Sequence, residues 1–524
     1  MSQFLLGRTG ISALRASVAC VSNARLHVLM AAVIVSGICS TALAFPPADG
    51  DLDSTFGATG PGYTIVDFGN GADANQDGAH RMLRQPDGKF VAVGSVDSGS
   101  GNQVIGLARI LNNGQLDTSF GDAATPGRFR TGGGFYNRTG NGVAVLPSGQ
   151  LVVAGTIFYA PPARGELFFP INNAPNATET YFQWLDGSAF NDILALADGR
   201  LLVGGTAPGL SSTGDFALIL YDGAGGFIES LTVPFNAGGS NDDQVQRIAF
   251  MPAANAVSGR IGYVYAIGSV ALPNYASGHP NIECGVVKAG LYSAAPRLRL
   301  ETSFGTANSG KLVLDVNAGW LAFYTHGIDG NAYCRGITVR KDGGLLIAGE
   351  RYYFGYDNSH ATADNSVGFA AKLDANGVAD ATFQNGFNSG GFTFYWRYFI
   401  DTANALYQGL WFSLIQSDGL PLFGGLTEVD CNSGGSSNPR NRTSVLRTTA
   451  TGSQDATYSP YFCASPRPAA DNGFDVALDG VFDAGEVVTV GNVFSSLSPA
   501  SATDFVFMRH YSDLIFTDNF DPGY

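Results

Sequence analysis

The residues of this chain best spaced for chemistry are acidic. Asp73-Ala74-Asn75-Gln76-Asp77-Gly78 alternates oxygen-bearing side chains and places glycine sixth, as a calcium-binding loop begins. Asp73, Asn75 and Asp77 would be the ligands. The ninth and twelfth places hold Arg81 and Arg84, so the segment reads more simply as a polar loop between strands. A calcium site here would need a further carboxylate. Gly305-Thr306-Ala307-Asn308-Ser309-Gly310-Lys311 matches a phosphate loop up to its lysine. Leu312 then stands where Ser or Thr would bind magnesium, and the run Leu312-Val313-Leu314 reads as a strand, so a glycine turn is the better reading.

Catalytic signatures are missing. None of His80, His279, His326, His360 and His510 lies in a His-Glu-x-x-His pattern, and no Gly-x-Ser-x-Gly elbow occurs. Aromatic side chains offer a different chemistry, since flat exposed rings stack on sugar faces. Tyr352-Tyr353-Phe354-Gly355-Tyr356 follows a glycine and heads a long loop, which makes Tyr352, Tyr353 and Tyr356 the candidate ligand-binding residues. The run Phe392 to Phe399 alternates like a strand and reads as packing.

The elements that must position these residues follow from composition. Residues 1–44 carry Arg8, Arg15 and Arg25, no acid, an apolar run from Val28 to Ile38, and Ala42-Leu43-Ala44. That is a signal peptide with cleavage after Ala44, and the remaining 45–524 form one domain. The apolar run is short for a bilayer span, and no later stretch qualifies. The whole chain has 29 basic and 44 acidic residues; three basic ones lie in the leader, leaving a formal −18 on the mature part. Such a surface repels phosphate backbones and excludes nucleic acid as a partner. Secretion or periplasmic residence is expected, and the four cysteines of the mature part then read as two disulfides. Of the three possible connectivities, Cys284 with Cys334 and Cys431 with Cys463 is our expectation.

With 70 glycines and only 14% charged residues, the chain favours short strands and tight turns. One phrase recurs: an apolar stretch, a turn on Asp-Gly or Ser-Gly, a second apolar stretch, then glycine. It is clearest from Met82 to Gly94 and from Ile337 to Gly349, and the closing glycines fall at 94, 155, 205, 268, 349, 425 and 491. Each copy is a β-hairpin. In the last copy, Phe474 to Gly491, the turn is read at Asp479-Gly480, displaced by an insertion. A second phrase lies between hairpins, Leu52-Asp53-Ser54-Thr55-Phe56-Gly57 and Leu116-Asp117-Thr118-Ser119-Phe120-Gly121, with weaker versions ending in Phe304, Phe383 and Tyr458.

Hairpin plus this phrase resembles the delta-60 repeat of secreted bacterial proteins, and the likeness spans nearly all of the mature chain. About four strands per unit is the content of a propeller blade. The expected fold is therefore all-β, a single β-propeller of seven four-stranded antiparallel blades, closed by strands from both termini. The longest intervals, 268 to 349 and 349 to 425, place the largest loops in blades four to six, with Trp320, Phe323 and Tyr324 among their aromatics. The expected function is a non-catalytic binding or surface-interaction module, for a protein or a glycan. The alternative is a secreted hydrolase or lyase acting on polysaccharide, its acid and base drawn from different blades. A pair of carboxylates converging about 5–10 Å apart at the channel mouth would favour the enzyme, and a smooth or plugged channel would favour binding.

Overall fold

The computed structural model describes residues 50–57, 62–69, 77–121, 125–132, 136–158, 162–170, 180–208, 214–240, 242–254, 259–275, 278–316, 330–353, 365–384, 392–395, 409–429, 440–455, 457–458, 475–494 and 503–511. They form seven antiparallel sheets. We number the blades I to VII and letter their strands A to D in order of pairing. The A strands are Gly78–Arg84, Asn137–Val145, Ala189–Ala195, Gln244–Pro252, Gly330–Val339, Gly409–Ile415 and Asp475–Asp483. Each A strand touches the A strands of both neighbouring blades, and VII returns to I. The A strands therefore ring the axis, and the fold is a seven-bladed β-propeller.

The seven expected hairpins are the seven A–B pairs. Their turns use the glycines foreseen at 88, 149, 199, 343 and 419, each with positive φ. Blade VII differs from the reading above. Asp479-Gly480 lies inside strand A, and the chain turns instead at Ala484-Gly485, both at positive φ. Blade IV adds Lys311–Leu314 to the outer edge of its third strand, and blade VI shows three strands among the described residues.

Closure uses both ends of the chain. Tyr63–Val66 is the outermost strand of blade VII, paired with Thr503–His510. The recurring Asp-x-Ser/Thr-Phe phrase explains itself here. Arg509 from the C-terminal strand pairs with Asp53 and stacks 4.9 Å over Phe56. The same clamp recurs with Arg109 on Asp117 (2.8 Å) and Phe120, with Lys372 on Asp380 (2.9 Å) and Phe383, and with Arg447 on Asp455 (2.8 Å) and Tyr458. The acid also accepts the N–H and hydroxyl of Thr55, Ser119, Thr382 or Thr457, two residues on. The phrase is thus a structural lock between the third strand and the following turn.

Apolar side chains fill the gaps between blades. Leu202, Phe216, Val245, Ile248 and Val264 join III to IV, and Tyr265, Ile267, Val286, Ile347 and Phe369 join IV to V. Each such side chain contributes about 1.5–3 kcal/mol of burial free energy. A disulfide between Cys284 and Cys334, Cα atoms 5.3 Å apart, adds a covalent staple between blades IV and V, as expected. Cys431 and Cys463 lie outside the described residues. Among the described residues no helix is long and apolar enough to cross a membrane.

Candidate functional site

The closing glycine of each hairpin sets the geometry of the channel. In all seven blades it faces the residue just before a β-bulge in strand A. A Cβ on Gly94 would lie 1.9 Å from the carbonyl oxygen of Gly78, and one on Gly491 1.6 Å from that of Val476. Only glycine lets the backbones come this close. The extra residue at each bulge is His80, Asn141, Asn191, Gln246, Arg335, Trp411 or Leu478, and the residue after it is Arg81, Gly142, Asp192, Arg247, Gly336, Phe412 or Asp479.

Bulge side chains tie neighbouring blades together. His80 Nδ1 donates to the carbonyl of Gly140 at 2.9 Å, Asn141 to that of Phe190 at 2.8 Å, and Asn191 to that of Val245 at 2.7 Å. His80 must carry its proton on Nδ1 to do so, and burial pushes the imidazole pKa down, which keeps the ring neutral. Two acids repeat a second link. Asp192 accepts the N–H of Ile248 in blade IV at 2.9 Å, and Asp479 that of Met82 in blade I at 3.0 Å.

Two arginines cross the axis. Arg247 of blade IV bonds Asp479 of blade VII at 2.9 Å and the carbonyl of Arg335 at 3.2 Å. Arg81 of blade I reaches the carbonyl of Gln246 in blade IV at 3.3 Å. Burial, then the Arg247 charge, lowers the Arg81 guanidinium below its usual range. Burial raises the Asp192 carboxyl, and Arg247 and Arg81 oppose that rise. Both acids at this level are already engaged: Asp192 by two main-chain N–H groups, Asp479 by two more and an arginine. The channel is plugged here by paired charges. No free pair of carboxylates occurs at this level among the described residues.

Blade V carries the channel mouth toward the loops that join strands B and C. Glu350, its side chain 3% exposed, receives Arg335 through Nε at 2.9 Å and Nη2 at 2.6 Å. Its other oxygen accepts Trp411 Nε1 of blade VI at 3.1 Å. The Arg335 guanidinium sits 5.2 Å from the Tyr333 ring, and Tyr333 meets Tyr352 edge-on at 5.8 Å. Asn331 donates to the Tyr333 hydroxyl at 3.2 Å. Aromatic edges, a guanidinium and a carboxylate thus gather around half-exposed Tyr333, Tyr352 and Trp411.

Of the residues singled out in the sequence, Tyr352 joins this cluster. Tyr353 ends the same strand with its side chain outside the described residues, as are Tyr356, Trp320, Phe323 and Tyr324. Asp73 and Asn75 also lie outside them. Asp77 is fully buried, accepting the N–H groups of Asp97 and Phe68. Carboxylate oxygens of Asp67, Asp77 and Asp504 lie within 4.8 Å of one another, Asp67 following the strand Tyr63–Val66 and Asp504 standing in the strand Thr503–His510. Burial, and then mutual repulsion, pushes Asp77 up to about 6 and Asp504 up to about 7. Hard cations favour such an oxygen set. The phosphate-loop lookalike is a short 3-10 turn, Thr306–Asn308, running into an edge strand, and Lys311 donates to the carbonyl of Pro234.

The bulge residues were missed in the sequence because alternation inside a buried strand leaves no mark of a bulge. The closing glycine was the available signal. Each bulge residue precedes it by a nearly constant interval wherever the turn is short.

A family model described as "Domain of unknown function (DUF5122) beta-propeller" matches residues 85–120. No curated protein matches the chain. Solved structures resembling it include polysaccharide lyase Uly1, 11% identical over 89% of this chain and 97% of that one, with a TM-score of 0.42. YCF48 bound to D1 peptide is 9% identical over 87% and 96%, with a TM-score of 0.33. A mutant Trypanosoma rangeli sialidase displaying trans-sialidase activity is 8% identical over 88% and 60%, with a TM-score of 0.32. At this distance none of them speaks to the chemistry of this chain.

Proposed function

We propose that the chain is an exported, non-catalytic binding module whose ligand, a glycan, docks at the channel mouth of blades V and VI. The observation that carries this reading is the Tyr333–Tyr352 ring pair held beside the Arg335–Glu350–Trp411 cluster. Aromatic surfaces take the C–H faces of sugars, and the Arg335 guanidinium, a third exposed and held in place by Glu350, offers an N–H to a sugar hydroxyl. Tyr353 and Tyr356 follow Tyr352 in the sequence and are tested with it. Export is supported by the composition of residues 1–44 and by the disulfide between blades IV and V. The non-catalytic part rests on the plugged axis. A general acid or base must exchange a proton with substrate, and Asp192 and Asp479 spend their oxygens on the protein itself.

The test is a glycan array run beside a glycosidase and lyase panel, on wild type and the Tyr352→Ala, Tyr353→Ala, Tyr356→Ala triple variant. Array binding by the wild type, lost in the variant with the melting temperature nearly unchanged, is the expected result. Turnover of any array glycan overturns the non-catalytic reading. A loss of several degrees in the variant would make the rings core packing and sink the site.

A further inference from the structure

The seam where the two ends of the chain close the ring carries a second site, independent of the channel mouth. Asp67 follows the outermost strand of blade VII, Asp504 stands in the C-terminal strand beside it, and Asp77 leads into blade I. Carboxylate oxygens of all three lie within 4.8 Å of one another, with Asp77 fully buried and Asp67 exposed. The neighbouring charges that act on Asp504 are Asp67 and Asp77, both negative. None of the three acids forms an ion pair among the described residues.

Acidic groups often gather without a metal, but this propeller builds the same seam twice, and the other copy holds a cation. Between blades III and IV, Asp243 accepts the N–H groups of Phe235 and Ala271 and donates its own N–H to the Gly214 carbonyl. Between VII and I, Asp77 accepts those of Phe68 and Asp97 and donates to the Thr503 carbonyl. The adjoining rings match as well. Phe235 meets Phe216 edge-on at 4.9 Å and 65°, and Phe68 meets Phe505 at 5.1 Å and 64°. Asp504, one residue before Phe505, therefore corresponds to Asp215, one before Phe216, and Asp67 corresponds to Pro234.

At the III–IV seam the cation belongs to the chain. Lys311 donates to the Pro234 carbonyl, and its charge interacts with both Asp243 and Asp215, opposing the burial that raises the Asp215 carboxyl. Lys311 pairs with Val287 as Arg128 pairs with Ala108, each two residues past the glycine that faces the closing glycine. Arg128, however, donates through Nη1 to the main-chain carbonyl of Asp67 and is not among the charges acting on Asp504. The VII–I seam thus holds one carboxylate more than its copy, and among the described residues no basic group pairs with them. Crowding three carboxylates beside a buried one is unfavourable unless a cation joins them.

We infer that Asp67, Asp77 and Asp504 bind one calcium ion, which serves at the seam of blades VII and I as the Lys311 ammonium serves between III and IV. Three carboxylates suit calcium better than magnesium, which needs a tight octahedron and is bound through one or two. Asp67 is exposed, so water completes the shell from that side. The ion pins both ends of the chain to blade I.

The test is calorimetric titration of calcium chloride into the chelator-stripped exported chain, with magnesium chloride in parallel. At about pH 8, above the raised values of Asp77 and Asp504, one calcium per chain should bind. Asp67→Asn and Asp504→Asn should each weaken it at least about tenfold. Asp215→Asn, at the lysine-neutralised seam, should leave it unchanged. Without calcium, Asp504→Asn should melt no lower than wild type, since repulsion is relieved, and it should lose the rise in melting temperature that calcium gives. Asparagine at 67 can still accept the Gly69 N–H, so that variant reports on the site even if Asp504→Asn perturbs its strand. No saturable binding by the wild type near the ~10⁻⁴–10⁻³ M typical of extracellular calcium modules overturns the inference. So does equal binding by wild type and both variants, or magnesium bound as tightly as calcium.

Discussion

Arg247 reaches across the propeller axis to Asp479, with 2.9 Å between Nη2 and Oδ1, and joins blade IV to blade VII. Both side chains are nearly buried, at 12% and 10% exposure. Like the Arg81 contact from blade I to the Gln246 carbonyl of blade IV, this pair couples blades that share no sheet and no core among the described residues. Removing one partner strands a buried charge. Arg247→Ala should therefore lower stability by about 3 kcal/mol in urea unfolding. Adding Asp479→Asn to Arg247→Met should recover much of that loss, because asparagine still accepts the Met82 N–H without a charge. A single variant within experimental error of wild type would show that solvent in the channel already screens the pair.

The closing glycines should separate from the turn glycines. A Cβ on Gly155 would sit 2.1 Å from the Thr139 carbonyl oxygen, backbone that cannot yield. A Cβ on Gly149, at φ 84 in the hairpin turn, would meet nothing within 4 Å. Gly149→Ala is expected to cost about 1 kcal/mol for its left-handed backbone. Gly155→Ala should cost more than about 3 kcal/mol or prevent folding. Equal costs in chemical denaturation would mean that the bulge can relax.

That contrast also marks what the sequence could disclose. Hairpins, their turn glycines and the ring closure were legible because continuous apolar runs, buried on both faces, and positive-φ residues leave local signatures. Asp479-Gly480 was misread as a turn because the dipeptide is the same. What differs is its place opposite the Val490 and Thr489 pair of the ladder, a tertiary fact. The phrase around Asp53 and Asp117 was visible as a pattern, but its purpose was not. The Arg or Lys that each Asp holds comes from a strand eight residues away in Arg109, and from the other end of the chain in Arg509. The channel residues and the joining of Asp77 to Asp67 and Asp504 were hidden for the same reason, being assembled from separate blades. Tyr352 was legible as an aromatic, though not as the partner of Tyr333.

Peptide mapping without reduction should recover the Cys284–Cys334 linkage and, if export oxidises the chain as expected, Cys431 with Cys463. Both sulfurs of the first pair are buried, so reductant should reach it only through opening of the IV–V interface. Cys284→Ala with Cys334→Ala should lose about 4 kcal/mol, the chain-entropy worth of a bridge spanning 50 residues. Four free thiols in exported protein would contradict the pairing.

Glu166 supplies a pH dependence of unusual sign. It lies in the third strand of blade II opposite Gly155, fully buried, with Arg138 3.8 Å away and neither carboxyl oxygen hydrogen-bonded among the described residues. Burial pushes its pKa from 4.5 up to about 7, and Arg138 offsets only part of the rise. The folded chain therefore holds this proton at pH values where the unfolded chain has released it. Stability from this group is fully present below about pH 4.5 and is lost as pH rises toward 7, by up to about 3 kcal/mol. A carboxylate with a depressed pKa would give the opposite slope. Other buried acids, Glu283 and Asp504 among them, share this sign, so the total slope cannot assign it. The difference between wild type and Glu166→Gln can, since those groups cancel and glutamine stays neutral throughout. Unfolding free energies measured from pH 4.5 to 8 should show wild type falling relative to Glu166→Gln across that window and running parallel above it. A difference that stays flat with pH would mean that Glu166 ionises normally, with Arg138 closing to a full ion pair.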